Sequence, residues 1–575
     1  MKSILPLALC ASFSVMAAEP AWVTTSNQYA IEVLQKFAEV NPENGSEIGI
    51  EAYDSKASNL SLAAEKHAME VIQQEITKLR AAEKKESDTR VQQDLQIMLD
   101  TLQREVDSTA LSDQYELPFY NVGEKVFGGI QTLLDDRNSQ TRMQKAVARL
   151  NAYAGLDGSA NIAAQAKERT EQALGNPHLT APYYREVQQA IDNTPKFIDG
   201  IKQLFNDHKL EGWQPGFEKL AAQLTDYQQW LQTKILPIAR KSNVMPEVLY
   251  SNALKNDGVD MPPRELIQRA LFEYAEIRDE MQTVATDVAK ARGFKNDDYR
   301  YVIHQLQKEQ VTGDEVLPFF KQRLADIEKI VKAHDIVTLP QRPANIRVAS
   351  AAETAALPAA HMNPPRLVGN TGEYGEFVLP MIEPGKAPKV TDFTSKAFSW
   401  TLTVHEARPG HELQFSNMVE QGVSMARAIF AMNSANAEGW ALYAEAIMKQ
   451  YLPKDGQLFS LQARQQRAAR AFLDPMLNLG MISPEDAKKV LTDGVVLSDA
   501  FAQQEIDRYT FKMPGQATSY FYGYMNLREL RVATEIKLKD KFNQKAFHDF
   551  ILKQGLLPPK LLKKAVEEEF IPSVQ

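Results

Sequence analysis

Long runs of apolar residues at helical spacing constrain the fold of this chain more than any other feature. In the segment at 262–294, PPRELIQRALFEYAEIRDEMQTVATDVAKARGF, apolar residues fall on one face of a long amphipathic helix, at Leu266, Ala270, Tyr274, Ile277 and Met281. Pro262 and Pro263 suit its first turn, and Gly293 suits its end. Similar stretches occur at 61–106 and 216–241, with charges on the opposite face. Residues from about 26 to 340 are therefore predicted to be mostly helical.

The composition changes between about 338 and 395, where proline and glycine are frequent. Two pieces of this segment, IRVAS and EFVLP, are typical of short strands separated by turns. Helical patterns resume near Phe393, and ISPEDAKKVL shows a helix start with Ser483 as N-cap, Pro484 in the first turn and Asp486 three residues after the cap. We predict a mainly α-helical fold, with an N-terminal helical part at 19–340 and a second helical part at 341–575 that carries a short β-ribbon.

The N-terminus has the features of a secretory signal peptide. MKSILPLALCASFSVMAAEPAW has one cation at Lys2, a short apolar run and then small residues up to Ala18. We predict a signal peptide at 1–18 and a periplasmic or secreted protein. The apolar run is too short to span a bilayer. Lipoprotein anchoring through Cys10 is the less favoured alternative, because Leu9 is larger than the residue that usually precedes a lipidated cysteine.

Cysteine usage and charge narrow the possible chemistry. Cys10 is the only cysteine, so the mature chain would have neither disulfides nor a thiol nucleophile, and a metal site would have to use His, Asp and Glu. The 65 basic and 74 acidic residues are spread along the chain, and no long basic run predicts a nucleic-acid partner. No transmembrane segment is expected, and the oligomeric state is not readable.

The segment HEARPGHELQ at 405–414 contains the candidate catalytic motif. Zinc peptidases commonly carry His-Glu-x-x-His on one helix, but here the two histidines are six residues apart. On a regular helix that spacing is a rotation of about 600°, which places His405 and His411 on different faces. Pro409 removes a helical hydrogen bond, and Gly410 permits backbone angles closed to other residues. The two extra residues therefore predict a bend that returns His411 towards His405.

A third ligand is expected from SANAEGWALYAEAIM, a helical segment that follows. Glu438 and Glu445 are seven residues apart and so lie on one face of that helix. We predict Glu438 as the third metal ligand. Glu445 is either a residue that orients a ligand histidine or a plain surface charge, and the sequence leaves both open.

Three motifs, HEARPGH, AEGWALYAE and PGQATSYFYG, resemble the bacterial family known as domain of unknown function 885, grouped with gluzincin-type metallopeptidases. The resemblance covers nearly the whole mature chain and implies that His405, His411 and Glu438 are zinc ligands and Glu406 the catalytic glutamate. The family usually has a small or aliphatic residue at the position of Arg408, which affects no ligand.

Chemistry at such a site agrees with this assignment. Three protein ligands leave a position for water on Zn²⁺, and Glu406, next to a ligand, would act as general base. The region from Phe501 to Leu530 offers Arg508, Tyr509, Tyr520 and Tyr522 as further donors. We predict Tyr520 as the oxyanion donor and Arg508 as a binder of a substrate carboxylate. We expect His548 to be a packed helix residue. We expect Phe377 to Leu379 to form either a strand that pairs with the substrate or a structural ribbon.

The sequence thus predicts an exported zinc-dependent metallohydrolase, with residues 341–575 as the catalytic part and the β-ribbon beside a zinc-peptidase-like cleft. The favoured substrate is a short peptide. One alternative is a metal-dependent amidase or esterase acting on another small molecule, and a second is a non-enzymatic helical binding protein of the envelope. The sequence does not distinguish zinc from another divalent ion, and it does not distinguish endo- from exo-cleavage.

Overall fold

The computed structural model describes residues 20–349, 354, 359–365, 370, 373–380, 392 and 394–575. The predicted signal peptide and Cys10 lie outside the described residues. Within them the protein is mainly helical with one small sheet, as predicted.

The α-helices are α1 (Ala21–Val40), α2 (Pro42–Glu47), α3 (Leu62–Glu83), α4 (Thr89–Tyr115), α5 (Val122–Gln131), α6 (Gln140–Tyr153), α7 (Ile162–Glu171), α8 (Tyr184–Asp207), α9 (Gln214–Trp230), α10 (Glu247–Asn256), α11 (Pro263–Arg292), α12 (Tyr299–Leu306), α13 (Val316–Ala333), α14 (Ser399–Glu406), α15 (His411–Gln421), α16 (Ser434–Met448), α17 (Lys454–Asn478), α18 (Pro484–Lys489), α19 (Asp499–Asp507), α20 (Ser519–Leu538), α21 (Gln544–Lys553), α22 (Pro559–Ala565) and α23 (Ile571–Val574). The π-helical segments are Leu231–Ile235, Ala426–Phe430, Val490–Gly494, Arg508–Lys512 and Val566–Phe570. Short 3-10 turns lie at Glu51–Tyr53, Leu236–Ile238, Gly313–Glu315, Lys449–Tyr451, Gln516–Thr518 and Lys539–Lys541. The strands are β1 (Asn345–Val348), β2 (His361–Asn363) and β3 (Glu376–Leu379).

The predicted helix boundaries are confirmed where capping signals were clear. Helix α11 ends at Gly293, which adopts the left-handed conformation with φ 67°. The Ser483 side chain caps α18 by accepting a hydrogen bond from the Asp486 amide at 3.1 Å. The helical stretch at 61–106 is interrupted, because Asp88 caps the start of α4 with its side chain.

The small sheet has the strand order β1-β3-β2. Strand β1 pairs with β3 in parallel, in the register Asn345 with Glu376, and β2 pairs with β3 antiparallel, in the register Met362 with Phe377. The two strands expected from IRVAS and EFVLP are confirmed as β1 and β3. Strand β2 was not predicted, because three residues are too few for an alternating pattern.

Helix α17 forms the centre of the part of the molecule that holds the site. It packs against α11, α14 and α20, and nearly every residue from Gly456 to Asn478 is buried. The hydrophobic core around α17 takes residues from both sides of position 340, and a separate core lies within residues 122–239. The boundary at 340 stays a prediction. No helix in the described ranges has the length and apolar character needed to cross a membrane.

Helices α16 and α20 touch through their backbones. A Cβ atom on Gly523 would lie 1.7 Å from the carbonyl oxygen of Ala435, and one on Gly439 would lie 2.6 Å from the backbone of Gly523. Only glycine permits this approach. The contact explains the glycines in the AEGW and YFYG motifs and sets the distance between two helices that line the site described below.

Candidate metal centre

The chain bends sharply between the two histidines of the motif. Helix α14 ends at Glu406 and α15 begins at His411, so the histidines occupy two helices. Their ring centroids are 4.8 Å apart. The predicted bend at Pro409 and Gly410 is therefore confirmed.

Close packing, and not a left-handed backbone, makes glycine necessary at the bend. Gly410 has a φ of −76°, but a Cβ atom there would lie 1.9 Å from the carbonyl oxygen of His405. The indole of Trp440 donates a hydrogen bond to the carbonyl oxygen of Pro409 at 2.9 Å. The peptide bond between Arg408 and Pro409 is cis. Helix α16 thus holds the bend through a direct hydrogen bond.

Arg408 anchors the bend in a buried ion-pair network. The side chain is 1% exposed and donates hydrogen bonds from Nε to Glu412 Oε2 and from Nη1 to Glu328 Oε1, both at 2.7 Å. Arg342 donates to the other oxygen of Glu412 at 2.9 Å. This chain therefore uses a charged network at a position where the family resemblance implies a small or aliphatic residue.

The structure brings the three predicted metal ligands together. Glu438, in the second turn of α16, places Oε2 3.4 Å from Nε2 of His405 and 3.4 Å from Nε2 of His411. One ligand atom from each residue lies within 4.8 Å of the others. Bond lengths of about 2.0–2.1 Å in a tetrahedral zinc site place neighbouring ligand atoms ~3.4 Å apart. The two nitrogen-to-oxygen distances match that value.

One carboxylate oxygen at this point lacks a hydrogen-bond partner, although it lies near both imidazoles. Glu438 Oε2 is buried and makes no hydrogen bond to any described residue. A buried carboxylate oxygen without a partner is costly, and a cation held between it and the two imidazoles would satisfy it. The three residues therefore fit a metal ion, and two histidines with one carboxylate are a ligand set that zinc accepts.

Of the candidate ligands, His405 holds its proton strongly, whereas Glu438 stays ionised. Burial lowers the pKa of His405, but contacts with Glu438 and Glu445 outweigh it and raise that pKa to about 9. Burial raises the pKa of Glu438, yet its contacts with His405 and His411 outweigh burial and hold the pKa well below its usual range. A cation must displace the proton from His405, so metal affinity should weaken as the pH falls.

Glu445 orients His405. Its Oε1 accepts a hydrogen bond from His405 Nδ1 at 2.6 Å, and its Oε2 accepts one from Thr401 Oγ1 at 2.7 Å. Glu445 is 1% exposed, so the alternative of a surface charge is wrong. With Nδ1 bonded to Glu445, the Nε2 atom of His405 is directed towards Glu438.

The predicted catalytic residues line one cavity of about 460 Å³ together with the three candidate ligands. Glu406 Oε2 accepts a hydrogen bond from the backbone N–H of Met362, in β2, at 2.8 Å. Tyr520 lies in the first turn of α20, and its hydroxyl accepts a hydrogen bond from Arg508 Nη2 at 3.3 Å. Burial and then the charge of Glu438 raise the pKa of Tyr520, which keeps its hydroxyl protonated as a donor.

Other tyrosines considered from the sequence have different positions. Tyr509 is fully buried and donates a hydrogen bond to Glu505 at 2.6 Å, and neither it nor Tyr522 is among the residues that line the cavity. Arg508 lines the cavity but is already occupied by Glu505, Gln516 and Tyr520. Its predicted role towards a substrate carboxylate stays a prediction.

Of the two alternatives for Phe377 to Leu379, the structural ribbon agrees with the structure and the substrate-pairing strand is wrong. These residues form the central strand β3, which is buried and paired on both sides. Strand β2 is one of the two edge strands, and its residues His361 and Met362 line the cavity. The Met362 N–H points away from β3, because it bonds to Glu406.

A group of polar residues on the cavity wall was not predicted from the sequence. Gln466, Arg467 and Arg470 of α17 line the cavity, as does Glu505 of α19. Arg464, Arg467 and Arg470 recur every third residue in a helix that is otherwise rich in apolar residues. That recurrence was an available signal, but it is also typical of a solvated helix face.

His548 is a packed helix residue, as predicted. It is fully buried, its Nδ1 lies 2.7 Å from the carbonyl oxygen of Ile336, and its Nε2 lies 2.8 Å from the hydroxyl of Tyr443. The carbonyl can only accept, so Nδ1 carries the proton and Nε2 accepts from Tyr443. Burial lowers the pKa of His548 to about 4.

We expect His548 to make folding stability pH-dependent. Between its unfolded pKa and its folded pKa, the unfolded chain binds a proton that the folded chain does not, so stability falls as the pH falls. From about pH 7 to about pH 4, the wild type should lose ~3 kcal/mol more of its unfolding free energy than His548→Gln does. Urea unfolding of both proteins at each pH measures this difference. An equal loss in both proteins would show that His548 does not cause this pH dependence.

Together, fold and site define a mainly helical protein with a candidate His-His-Glu metal centre in a deep cavity. The chain matches the family described as bacterial protein of unknown function (DUF885) over residues 42–566. It belongs to this family.

Two solved structures have a similar fold. One is a candidate lipoprotein of unknown function from Shewanella oneidensis, with a TM-score of 0.77 and 18% sequence identity over 96% of this chain and 100% of that chain. The other is a candidate lipoprotein from Colwellia psychrerythraea, with a TM-score of 0.75 and 19% identity over 96% of this chain and 99% of that chain. At these identities the likeness concerns the fold alone. No curated protein matches this chain.

Proposed function

We propose that this protein is an exported, zinc-dependent metallohydrolase and that short peptides are its substrates. The observation that carries the proposal is the position of Glu406. It follows the candidate ligand His405 directly and lines the same cavity as all three ligands. A purely structural metal site has no use for a carboxylate base beside it.

Each residue has a role that its contacts support. A bound divalent cation would supply Lewis-acid chemistry at the point shared by His405, His411 and Glu438. Glu406, oriented by the N–H of Met362, accepts a proton from the attacking water and later returns it to the leaving amine. Tyr520, held by Arg508, donates a hydrogen bond to the oxygen that becomes negative.

An extended substrate can pair with the edge of β2 that faces away from β3, where no strand of the described ranges is paired. In an antiparallel pair, the N–H and C=O of one residue point to the same side, so the carbonyl of Met362 faces away from β3 as its N–H does. Strand addition at this edge would place a peptide backbone beside Glu406. This arrangement favours a peptide over a small ester.

Clan and location are part of the proposal. A glutamate ligand and a catalytic glutamate beside the first histidine are what membership of the gluzincin clan implies. The two structural neighbours are described as candidate lipoproteins, which agrees with export. We prefer a periplasmic or secreted location for this protein, and lipid anchoring through Cys10 is the alternative.

Metal content and hydrolysis together test the proposal. Protein purified without chelator should hold about one zinc ion per chain and cleave a mixed peptide pool, and a chelator should stop cleavage until zinc is restored. In Glu438→Gln, we expect metal affinity to fall by more than ~100-fold. This loss is larger than the loss of affinity expected when a residue that only contacts a ligand is changed. Elemental analysis and mass spectrometry of the products provide the readouts.

The outcomes separate the alternatives. Bound metal with cleavage of esters or non-peptide amides, but not of peptides, would favour the amidase or esterase. Absence of both metal and hydrolysis would favour a non-enzymatic binding protein of the envelope.

A further inference from the structure

The guanidinium groups on the wall of the cavity differ in how far they are neutralised. Arg470 makes two hydrogen bonds to Glu505, at 2.6 Å and 3.0 Å. Arg508 contacts the same carboxylate at 3.4 Å and also donates to Gln516 and Tyr520. Glu505 is therefore the ion-pair partner of both arginines among the described residues, and Arg508 also spends donors on Gln516 and Tyr520.

Arg467 is compensated far less. It is 9% exposed, and its one ion pair among the described residues joins Nη2 to Glu445 Oε1 at 3.7 Å. That oxygen is engaged more closely by His405, at 2.6 Å. Arg467 Nη1 donates to neutral acceptors, the Ala463 carbonyl and the Gln466 amide oxygen. Its Nε donates to nothing in the described part of the chain.

A second donor beside Arg467 also lacks an acceptor. Gln466 lines the same cavity, and its Nε2 is buried without a hydrogen-bond partner among the described residues. Buried N–H donors without acceptors are destabilising, so two on neighbouring residues indicate a place for an acceptor from outside the chain. A guanidinium with an adjacent amide is suited to a carboxylate.

The charge balance of the cavity agrees with an anionic ligand. The described residues that line it include three guanidinium groups, Arg467, Arg470 and Arg508, and four carboxylates, Glu406, Glu438, Glu445 and Glu505. These leave one excess negative charge when the two ligand histidines are neutral. A divalent cation turns this into one excess positive charge, which one substrate carboxylate would neutralise.

We propose that Arg467, with Gln466, forms a subsite for the C-terminal carboxylate of a peptide, so that the protein removes residues from the C-terminal end. The proposal rests on the proposed function. It assigns the carboxylate to Arg467 in place of Arg508, whose donors are already used. Arg467 acts here as a specificity-determining residue, because it contacts the end of the substrate and not the reacting bond.

The position of Arg467 limits the length of the released piece. A single oxygen of Glu445 contacts both Arg467 and His405. The guanidinium therefore lies within about two residue lengths of extended chain from the ligand histidine, at ~3.3–3.6 Å per residue. The metal-facing Nε2 lies on the far side of the same ring, so the released piece is expected to be at most a few residues long.

The test compares two forms of one probe, a mixed-sequence hexapeptide pool with free C-terminal carboxylates and the same pool amidated. Metal-loaded wild type should cleave the free-acid pool ~30-fold faster or more and release C-terminal residues, as expected for a buried charge pair. Metal-loaded Glu406→Gln should retain the free-acid pool on an ultrafiltration membrane in preference to the amidated pool. This second readout needs no turnover.

Variants on α17 assign the effect to Arg467. Arg467→Gln, made in the wild type and in Glu406→Gln, should lower the ratio of free acid to amide by ~30-fold. Arg467→Lys should keep part of this preference, because lysine keeps the charge but lacks the two-pronged geometry of the guanidinium. The matched control is Arg464→Gln, which removes a similarly buried arginine one turn earlier that pairs with Glu273. Its ratio of acid to amide should equal that of the wild type.

The outcomes distinguish this subsite from the peptidase itself. Equal cleavage of the two pools, cleavage inside the peptides, or a preference unchanged in Arg467→Gln would overturn the subsite and leave the peptidase standing. Selective retention of the free acid without any hydrolysis would support the subsite and overturn the peptidase. If Glu406→Gln retains both pools equally, or retains neither, the subsite is overturned whether or not the wild type cleaves peptides.

Discussion

Replacing Glu406 with glutamine is expected to lower kcat/KM for peptide hydrolysis by ~10²–10⁴-fold while leaving metal content unchanged. Glutamine has the shape of glutamate but accepts no proton, and Glu406 is not among the three candidate ligands. Steady-state kinetics and elemental analysis on the same preparation measure both quantities. Full activity in Glu406→Gln would remove the general base from the mechanism.

Glu412, six residues after Glu406, provides a matched control. Glu412 also directly follows a candidate ligand histidine, but it is fully buried and pairs with Arg408 and Arg342. Glu412→Gln should therefore lower stability and leave kcat/KM of the folded protein within ~10-fold of wild type, inside the range expected for a change outside the ligand shell. Equal losses of activity in Glu406→Gln and Glu412→Gln would contradict the assignment of the base.

Removing the guanidinium at the bend is expected to destabilise the fold strongly. Arg408→Ala leaves Glu412 and Glu328 without their partner at 2.7 Å. Breaking a buried pair from one side typically costs 3–5 kcal/mol, and we expect ~3 kcal/mol because Arg342 still reaches Glu412. The urea midpoint of unfolding measures this loss.

An exposed pair provides the comparison. Lys36 and Glu39, on α1, form an ion pair at 3.0 Å with both side chains more than two-fifths exposed. Lys36→Ala should shift stability by less than ~1 kcal/mol. If Arg408→Ala proves no more costly than Lys36→Ala, the buried network does not hold the bend.

The parts of the site set by local chemistry could be predicted from the sequence. Pro409 and Gly410 signalled a bend because proline cannot continue a helix and glycine tolerates close contact. Glu438 and Glu445 were recognisable because carboxylates in an apolar helix need partners. The bend and the grouping of the ligands follow from these local signals, whereas the contact between Glu445 and His405 was one of two alternatives that the sequence left open.

The parts that depend on distant pairing could not be predicted. Whether EFVLP lies at an edge or in the centre of the sheet depends on β1 and β2, which join it from separate stretches of chain. The role of Arg467 depends on the enclosure of α17 by other helices, and charges at helical spacing look the same in sequence whether the helix is enclosed or solvated. The roles of Glu406, Tyr520 and Arg508 remain predictions.

The glycine contact between α16 and α20 has a consequence for how this cavity can be altered. Where Gly439 and Gly523 meet, no side chain lies between the two helices, so none can be resized there to move them apart or together. The spacing of the backbones that carry Glu438 and Tyr520 is therefore constrained by a main-chain contact. Substitutions that reshape the cavity must act on its other walls, formed by α17, α19 and the edge of β2, where side chains project into the space.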